Sequence, residues 1–190
     1  MIETQSSQLL PSLFEYVDED RRLTVLHLGP ALPETVEFFS RYRSKLYFAD
    51  LFAELPLVIE EGDAASPREQ LQALLDLPRD QRFDLCLIWD LLNFLDAQWL
   101  AALQEILRAH LHPASMVHGF AAHSPRVRPV DRLYAIRDID QMAVRERPVP
   151  LPGYVAHGQG SLKKLLSHFD FGRTVLLPDK RLEFVLSVKR

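Results

Sequence analysis

The sequence predicts a three-layer, doubly wound α/β fold whose mainly parallel, seven-stranded sheet ends in an antiparallel pair. Two observations carry this expectation. Short apolar runs bounded by turn residues alternate with amphipathic stretches of about 10–14 residues, the pattern of βαβ units whose right-handed crossovers put helices on both faces. Near the C-terminus, TVLL and LEFVLSV are separated only by Pro178, Asp179, Lys180 and Arg181. That connection is too short for a crossover, so the pair is antiparallel.

Residues 8–18 (QLLPSLFEYVD) read as a lead-in helix, after which the charged cluster Asp18–Arg22 returns the chain to the surface. Leu23 to Leu28 is an apolar run closed by Gly-Pro, the mark of a strand buried on both faces. Pro33 suits the first turn of a helix, with Glu34 favoured by its dipole and Val36, Phe39 and Tyr42 on one face. Lys45 to Ala49 is a second strand ending at Asp50, and Leu57 to Ile59 a brief third. Ser66, Pro67 and Glu69 combine an N-cap, a proline at the first helical position and a capping-box acid, starting a helix that runs to about Leu77. Phe83 to Trp89 is the strongest strand signal. Asp96 caps a helix with Leu100, Leu103, Ile106 and Leu107 at helical spacing, and Ser115 to Ala122 is a further strand. Residues 124–160 are Pro-rich and irregular, Ser161 caps SLKKLLSHF, and the strand pair closes the chain.

The chain has 190 residues, with 22 basic and 26 acidic side chains, a formal net charge of −4 and 47% hydrophobic content. A chain of this length removes roughly 70% of its unfolded surface from water, so the expectation is one domain over 1–190 that needs no disulfide or structural metal. Residues 1–20 are its lead-in and 124–160 an insertion or lid. Cys86 is the lone cysteine, which excludes an intrachain disulfide and a CxxC site. With no signal peptide and no apolar stretch of spanning length, the expected location is the cytoplasm, away from membranes. The net charge gives no global reason to bind nucleic acid.

The succession VLHLGPALPE, LYFADL, EEGDAAS, FDLCLIWDLLNFL, LRAHLHPASMVHGF and LLSHFDFGRTVLL with RLEFVLSV resembles the class I S-adenosylmethionine-dependent methyltransferases over nearly all of residues 20–190. The resemblance implies a glycine-rich cofactor loop after the first strand, where bare backbone and helix N–H groups meet the methionine part of the cofactor. Gly29 stands at the first glycine, but His27 replaces an acid, and Ala31 and Pro33 replace the second and third glycines. The same turn makes sense with no ligand, as a strand-to-helix connection. The resemblance also implies that Asp50 receives the ribose hydroxyls and that Asp63 lies near the adenine amino group, although acids in these positions are also ordinary turn residues. Asp90 and Asn93 fall where that family faces its substrate. They could hold an amine or hydroxyl, or equally cap the start of the next helix. Trp89 and Trp99 read as core more readily than as pocket lining.

Other constellations are weaker. His110, His112, His118 and His123 cluster in sequence, but their positions on a helix end and a strand argue against zinc, so no metal is expected; His123 remains a candidate base. Gly-x-Ser-x-Gly, Gly-x-Gly-x-x-Gly and Walker patterns are absent. Arg126, Arg128, Arg132, Arg137, Arg145 and Arg147 are interleaved with acids, which favours a solvated lid, covering the substrate side in the family it resembles, over a nucleic-acid strip. Two readings follow. The first is a pseudo-enzyme: a methyltransferase-like module with a degenerate cofactor site that binds a protein partner or a second copy of itself. The second is an active small-molecule methyltransferase holding S-adenosylmethionine through Gly29, Asp50 and Asp63.

Overall fold

A computed structural model of the chain describes residues 2–189 apart from 16, 18, 19, 60, 61, 63, 64 and 127. The strands are β1 (Glu3–Ser6), β2 (Leu23–His27), β3 (Ser44–Phe48), β4 (Phe83–Trp89), β5 (Leu111–Ala122), β6 (Arg132–Asp138), β7 (Gln141–Glu146), β8 (Phe169–Leu176) and β9 (Arg181–Val188). The helices are α1 (Pro33–Phe39), α2 (Pro67–Leu75), α3 (Ala97–His110) and α4 (Gln159–Leu165). The main sheet has the order β3-β2-β4-β5-β9-β8. Pairings are parallel from β3 to β5, and β9 runs antiparallel to both β5 and β8, so only β9 opposes the common direction.

From the centre, β2–α1–β3 steps one way across the sheet and β4–α3–β5 the other. Right-handed crossovers in opposite directions put α1 and α3 on opposite faces. The reversal between β2 and β4 is a topological switch point, and the crevice beyond their carboxyl ends is where ligands bind in such sheets. Local chemistry fixes the helix starts. Ser66 and Glu69 form a full capping box on α2, and the Asp96 carboxylate accepts from the amides of Gln98 and Trp99 on α3. The buried face of α1 is Thr35, Phe38 and Phe39, with Tyr42 packed beside them; Val36, expected on that face, points outward. The i, i+3, i+4, i+7 spacing of residues 35, 38, 39 and 42 explains the choice.

Several expectations are corrected. The main sheet has six strands among the described residues, not seven: Leu57 to Ile59 pair with nothing, and three residues after Pro56 make too short a ladder. Among the described residues the lead-in is not a helix over 8–18. Its described residues form β1 and a 3₁₀ turn at Leu10–Leu13, where Pro11 supplies no N–H and the Ser12 hydroxyl turns back to the Leu9 carbonyl. The segment 124–160 is not irregular throughout, since β6 and β7 form a hairpin that β1 extends into a second, three-stranded sheet, β1-β7-β6. Helix α4 is capped by Gly158 rather than Ser161.

Candidate functional site

Trp89 occupies the switch point. The β4–β5 register slips between Leu87 and Trp89, and Trp89 adopts a left-handed backbone, φ 50°. A bulge of this kind re-aims a side chain at a strand end. The neighbouring strand must allow it, and Gly119 does: a Cβ there would lie 2.7 Å from the Trp89 carbonyl and 2.8 Å from Ile88. Only a residue without Cβ lets β5 approach so closely. The buried indole reaches His27 at the end of β2, its centroid 5.3 Å from the imidazole.

That contact is chemically complete. Trp89 Nε1 donates to His27 Nε2 at 3.0 Å, so the imidazole proton sits on Nδ1, which donates to the Gly29 carbonyl at 3.2 Å. Burial lowers the His27 pKa to about 4, against a smaller upward pull from its backbone hydrogen bonds, so the ring is neutral at pH 7. A Cβ on Gly29 would lie 3.3 Å from both His27 Cε1 and Trp89 Cδ1. The space beside this glycine is filled by the protein's own rings, and in this arrangement it does not fit the methionine end of S-adenosylmethionine unless one ring moves.

The other candidates separate into two groups. Asp90 and Asn93 are buried beside Trp89. Asn93 braces the fold, its amide oxygen accepting from the Ala122 N–H at 3.0 Å and its carbonyl from the Val155 N–H at 2.7 Å. Burial pushes Asp90 up to about 7; its own backbone N–H, Arg147 and Arg181 pull the other way, and Asp131 adds to the rise. Asp50 is exposed at the end of β3, and His123 is exposed beyond β5, its N–H bonded to the Lys180 carbonyl. Asp63 lies outside the described residues. Among the described residues, no group of three His, Cys, Asp or Glu converges as a metal site, and no helix is long and apolar enough to cross a membrane.

The small sheet covers this crevice. Tyr134 of β6 lies flat on Trp89, with centroids 5.4 Å apart and planes 9° from parallel, and stacks on Phe120 at 5.0 Å. Its hydroxyl receives Arg181 Nη1 at 2.7 Å and approaches Asp90 Oδ2 at 3.4 Å. Arg181 also binds Gln5 of β1 and Asp179. Deeper in, Glu183 accepts from the Ser7 hydroxyl and contacts His118 Nε2 at 2.8 Å. Burial opposes its charge, but the His118 ring and Ser7 outweigh burial and hold the carboxyl below the usual range. The arginines of 126–147 act largely as straps. Arg145 pairs with Glu34 of α1, Arg132 with Asp179 and Arg128 with Asp131, while Arg147 covers the Phe52 ring. Sequence reasoning missed Tyr134, Arg181 and Glu183; the available signal was Gly119, a glycine inside a strand, which marks a close approach or a bulge.

Neither a family model nor a curated protein matches the sequence. Solved structures do. A protein from Pyrococcus horikoshii OT3 superposes with a TM-score of 0.56 at 14% identity, covering 95% of this chain and 88% of the other. The 1,6-didemethyltoxoflavin-N1-methyltransferase of Burkholderia thailandensis, with bound 1,6-didemethyltoxoflavin and S-adenosylhomocysteine, gives 0.53 at 17%, covering 96% and 78%. An S-adenosylmethionine-dependent methyltransferase from Clostridium acetobutylicum ATCC 824 gives 0.52 at 13%, covering 88% and 84%. Identities this low speak for the fold alone. Together with the sheet order they establish that the chain has the α/β Rossmann-like fold of the class I S-adenosylmethionine-dependent methyltransferases, with a mixed, mainly parallel sheet.

Proposed function

We propose that this protein uses the methyltransferase fold as a non-catalytic binding module, working through a protein partner or a second copy of itself. The observation that carries the reading is the Trp89–His27 hydrogen bond beside Gly29, which puts two of the chain's own rings where cofactor would approach the backbone. Tyr134 of the small sheet then covers Trp89 from the other side. The sequence agrees at the same place, since Ala31 and Pro33 add bulk and remove an N–H donor. An interaction role is supported by large apolar side chains left exposed: Val58 is 59% and Val149 71% exposed.

The second reading, an active small-molecule methyltransferase, rests on Asp50, which stays exposed at the end of β3 where ribose hydroxyls would reach it. Calorimetric titration with S-adenosylmethionine and S-adenosylhomocysteine separates the two. The expected result is no saturable binding below the millimolar range. Micromolar binding that weakens at least tenfold in Asp50→Ala overturns the non-catalytic reading in favour of the enzyme.

A further inference from the structure

The seam between the small sheet and the body differs from the rest of the interior. Six buried side-chain atoms lack a hydrogen-bond partner among the described residues, and all belong to residues on or beside this seam: Gln5 Nε2, Glu34 Oε2, Asp90 Oδ1, His118 Nδ1, Arg145 Nη1 and Glu183 Oε2. Buried polar groups are ordinarily paired, and each exception is a local cost that water relieves when the groups separate. The seam also has apolar glue, with Tyr134, Ile136, Met142 and Val144 buried. A joint made this way favours closure while keeping a route to opening.

We propose that the β1-β7-β6 sheet is a lid over the Gly29–Trp89–Asp90 crevice, held shut while Asp90 carries a proton and loosened when it loses one. Every element around Asp90 contributes to the balance. The Tyr134 hydroxyl of β6 and the Arg181 guanidinium of β9 meet in one hydrogen bond at its edge, Arg147 follows β7, and Asp131 precedes β6. Arg181 is already engaged by Tyr134, Asp179 and Gln5, so it is not free to swing fully onto a carboxylate. An ionised Asp90 in the closed state keeps one oxygen with no donor, whereas in an open lid water solvates both. The closed-state value of about 7 lies above the ordinary carboxylate value of 3.8. The lid therefore binds the proton more tightly when shut, and linkage makes its opening equilibrium rise about tenfold per pH unit from about pH 4 to about pH 7 and level off above.

The test is hydrogen exchange read by mass spectrometry on the full chain at pH 5 and pH 8, corrected for intrinsic exchange rates. Wild-type peptides covering 2–6 and 132–146 are expected to lose protection by up to about 100-fold between the two, while peptides covering 83–89 and 111–122 hold theirs. Asp90→Asn, isosteric and unable to ionise, is expected to give lid protection independent of pH. Lid peptides equally protected at both pH values, or an Asp90→Asn profile that keeps the wild-type slope, overturns the proposal. Should that variant not fold, the Asp90 carboxyl carbon shift in the wild-type protein decides instead: a titration midpoint near 7 supports the lid, and one below 5 overturns it. No ligand enters any of these measurements, so their outcome is separate from whether cofactor binds.

Discussion

Trp89 makes two contacts of opposite character. Its edge meets His27 across two adjacent strands of the main sheet, and there every polar atom has a partner: indole N–H to Nε2, Nδ1–H to the Gly29 carbonyl. Its face meets Tyr134 across the seam with the small sheet, where the neighbouring Asp90 keeps one oxygen unpaired. The first contact is between elements fixed by ladder hydrogen bonds, so complete pairing costs nothing in motion. The second joins two separately built sheets, and its residual unpaired groups are what a separable joint carries. The difference teaches that the crevice is filled in two ways, permanently by β2 and β4 and conditionally by β6.

Removing the shared ring is the strongest way to break this comparison. Trp89→Ala takes out a fully buried indole and both contacts at once, and is expected to cost about 3–5 kcal/mol in urea denaturation. A cost under about 1 kcal/mol would mean that the crevice collapses without its plug, and the contrast between its two walls would lose its basis.

His27→Phe breaks only the completed wall. It keeps ring packing but strands a buried indole N–H, for an expected loss of about 1–3 kcal/mol at pH 7. The pH dependence is more telling. His27 titrates lower in the folded state than unfolded, so its contribution is fully present above about pH 6.5 and is lost as pH falls toward about 4. Asp90 titrates higher in the folded state, so its contribution is present below about pH 4 and is lost as pH rises toward about 7. Across the overlap the two slopes oppose, and wild-type stability from this pair is nearly flat. In His27→Phe only the Asp90 slope remains, so that variant gains stability between pH 6.5 and pH 5 where the wild type does not; denaturation midpoints at both pH values read it directly.

Much of the body was legible in the sequence because its signals are local. Ser66 with Glu69 and Asp96 before α3 act as the caps their residue types announce, and FDLCLIW forms β4 over the residues expected. The small sheet was not, for three physical reasons. Glu3–Ser6 holds no apolar residue, and β1 exists because β7 offers it an edge. In β6 and β7 the buried runs Tyr134–Ile136 and Met142–Val144 do not alternate, so a period of two is hidden. Their connection, Ile139–Asp140, has none of the glycine or asparagine that marks a tight hairpin. At the site, Gly29 follows β2 and lies against Trp89, while Asp90 and Asn93 follow β4. What fills the space between them depends on a bulge at Trp89 and on a side chain from a hairpin 45 residues further along the chain, counted from Trp89 to Tyr134, and neither has a local signature.

The smallest change sharpens the comparison from the other end of the seam. Glu34 of α1 pairs with Arg145 of β7, both about a quarter exposed or less. Burial opposes the Glu34 charge, but the Arg145 hydrogen bond and charge outweigh it, and its pKa falls below the ordinary 4.5. This pair therefore steadies the lid above about pH 4.5 and is lost as pH falls through the folded value, the reverse of Asp90. Acid thus loosens one end of the seam while base loosens the other, and lid protection should peak at about pH 4, where the two slopes meet. Glu34→Gln keeps the shape and weakens the pair, at a cost of at most about 1 kcal/mol, because a partly exposed ion pair is screened. In exchange measurements it should lower protection of 132–146 at pH 5 severalfold, leave 83–89 unchanged, and remove the decline on the acid side of the peak. Equal loss in both regions would mean that the lid opens only when the whole domain unfolds, and the seam would then be no weaker than the wall at His27.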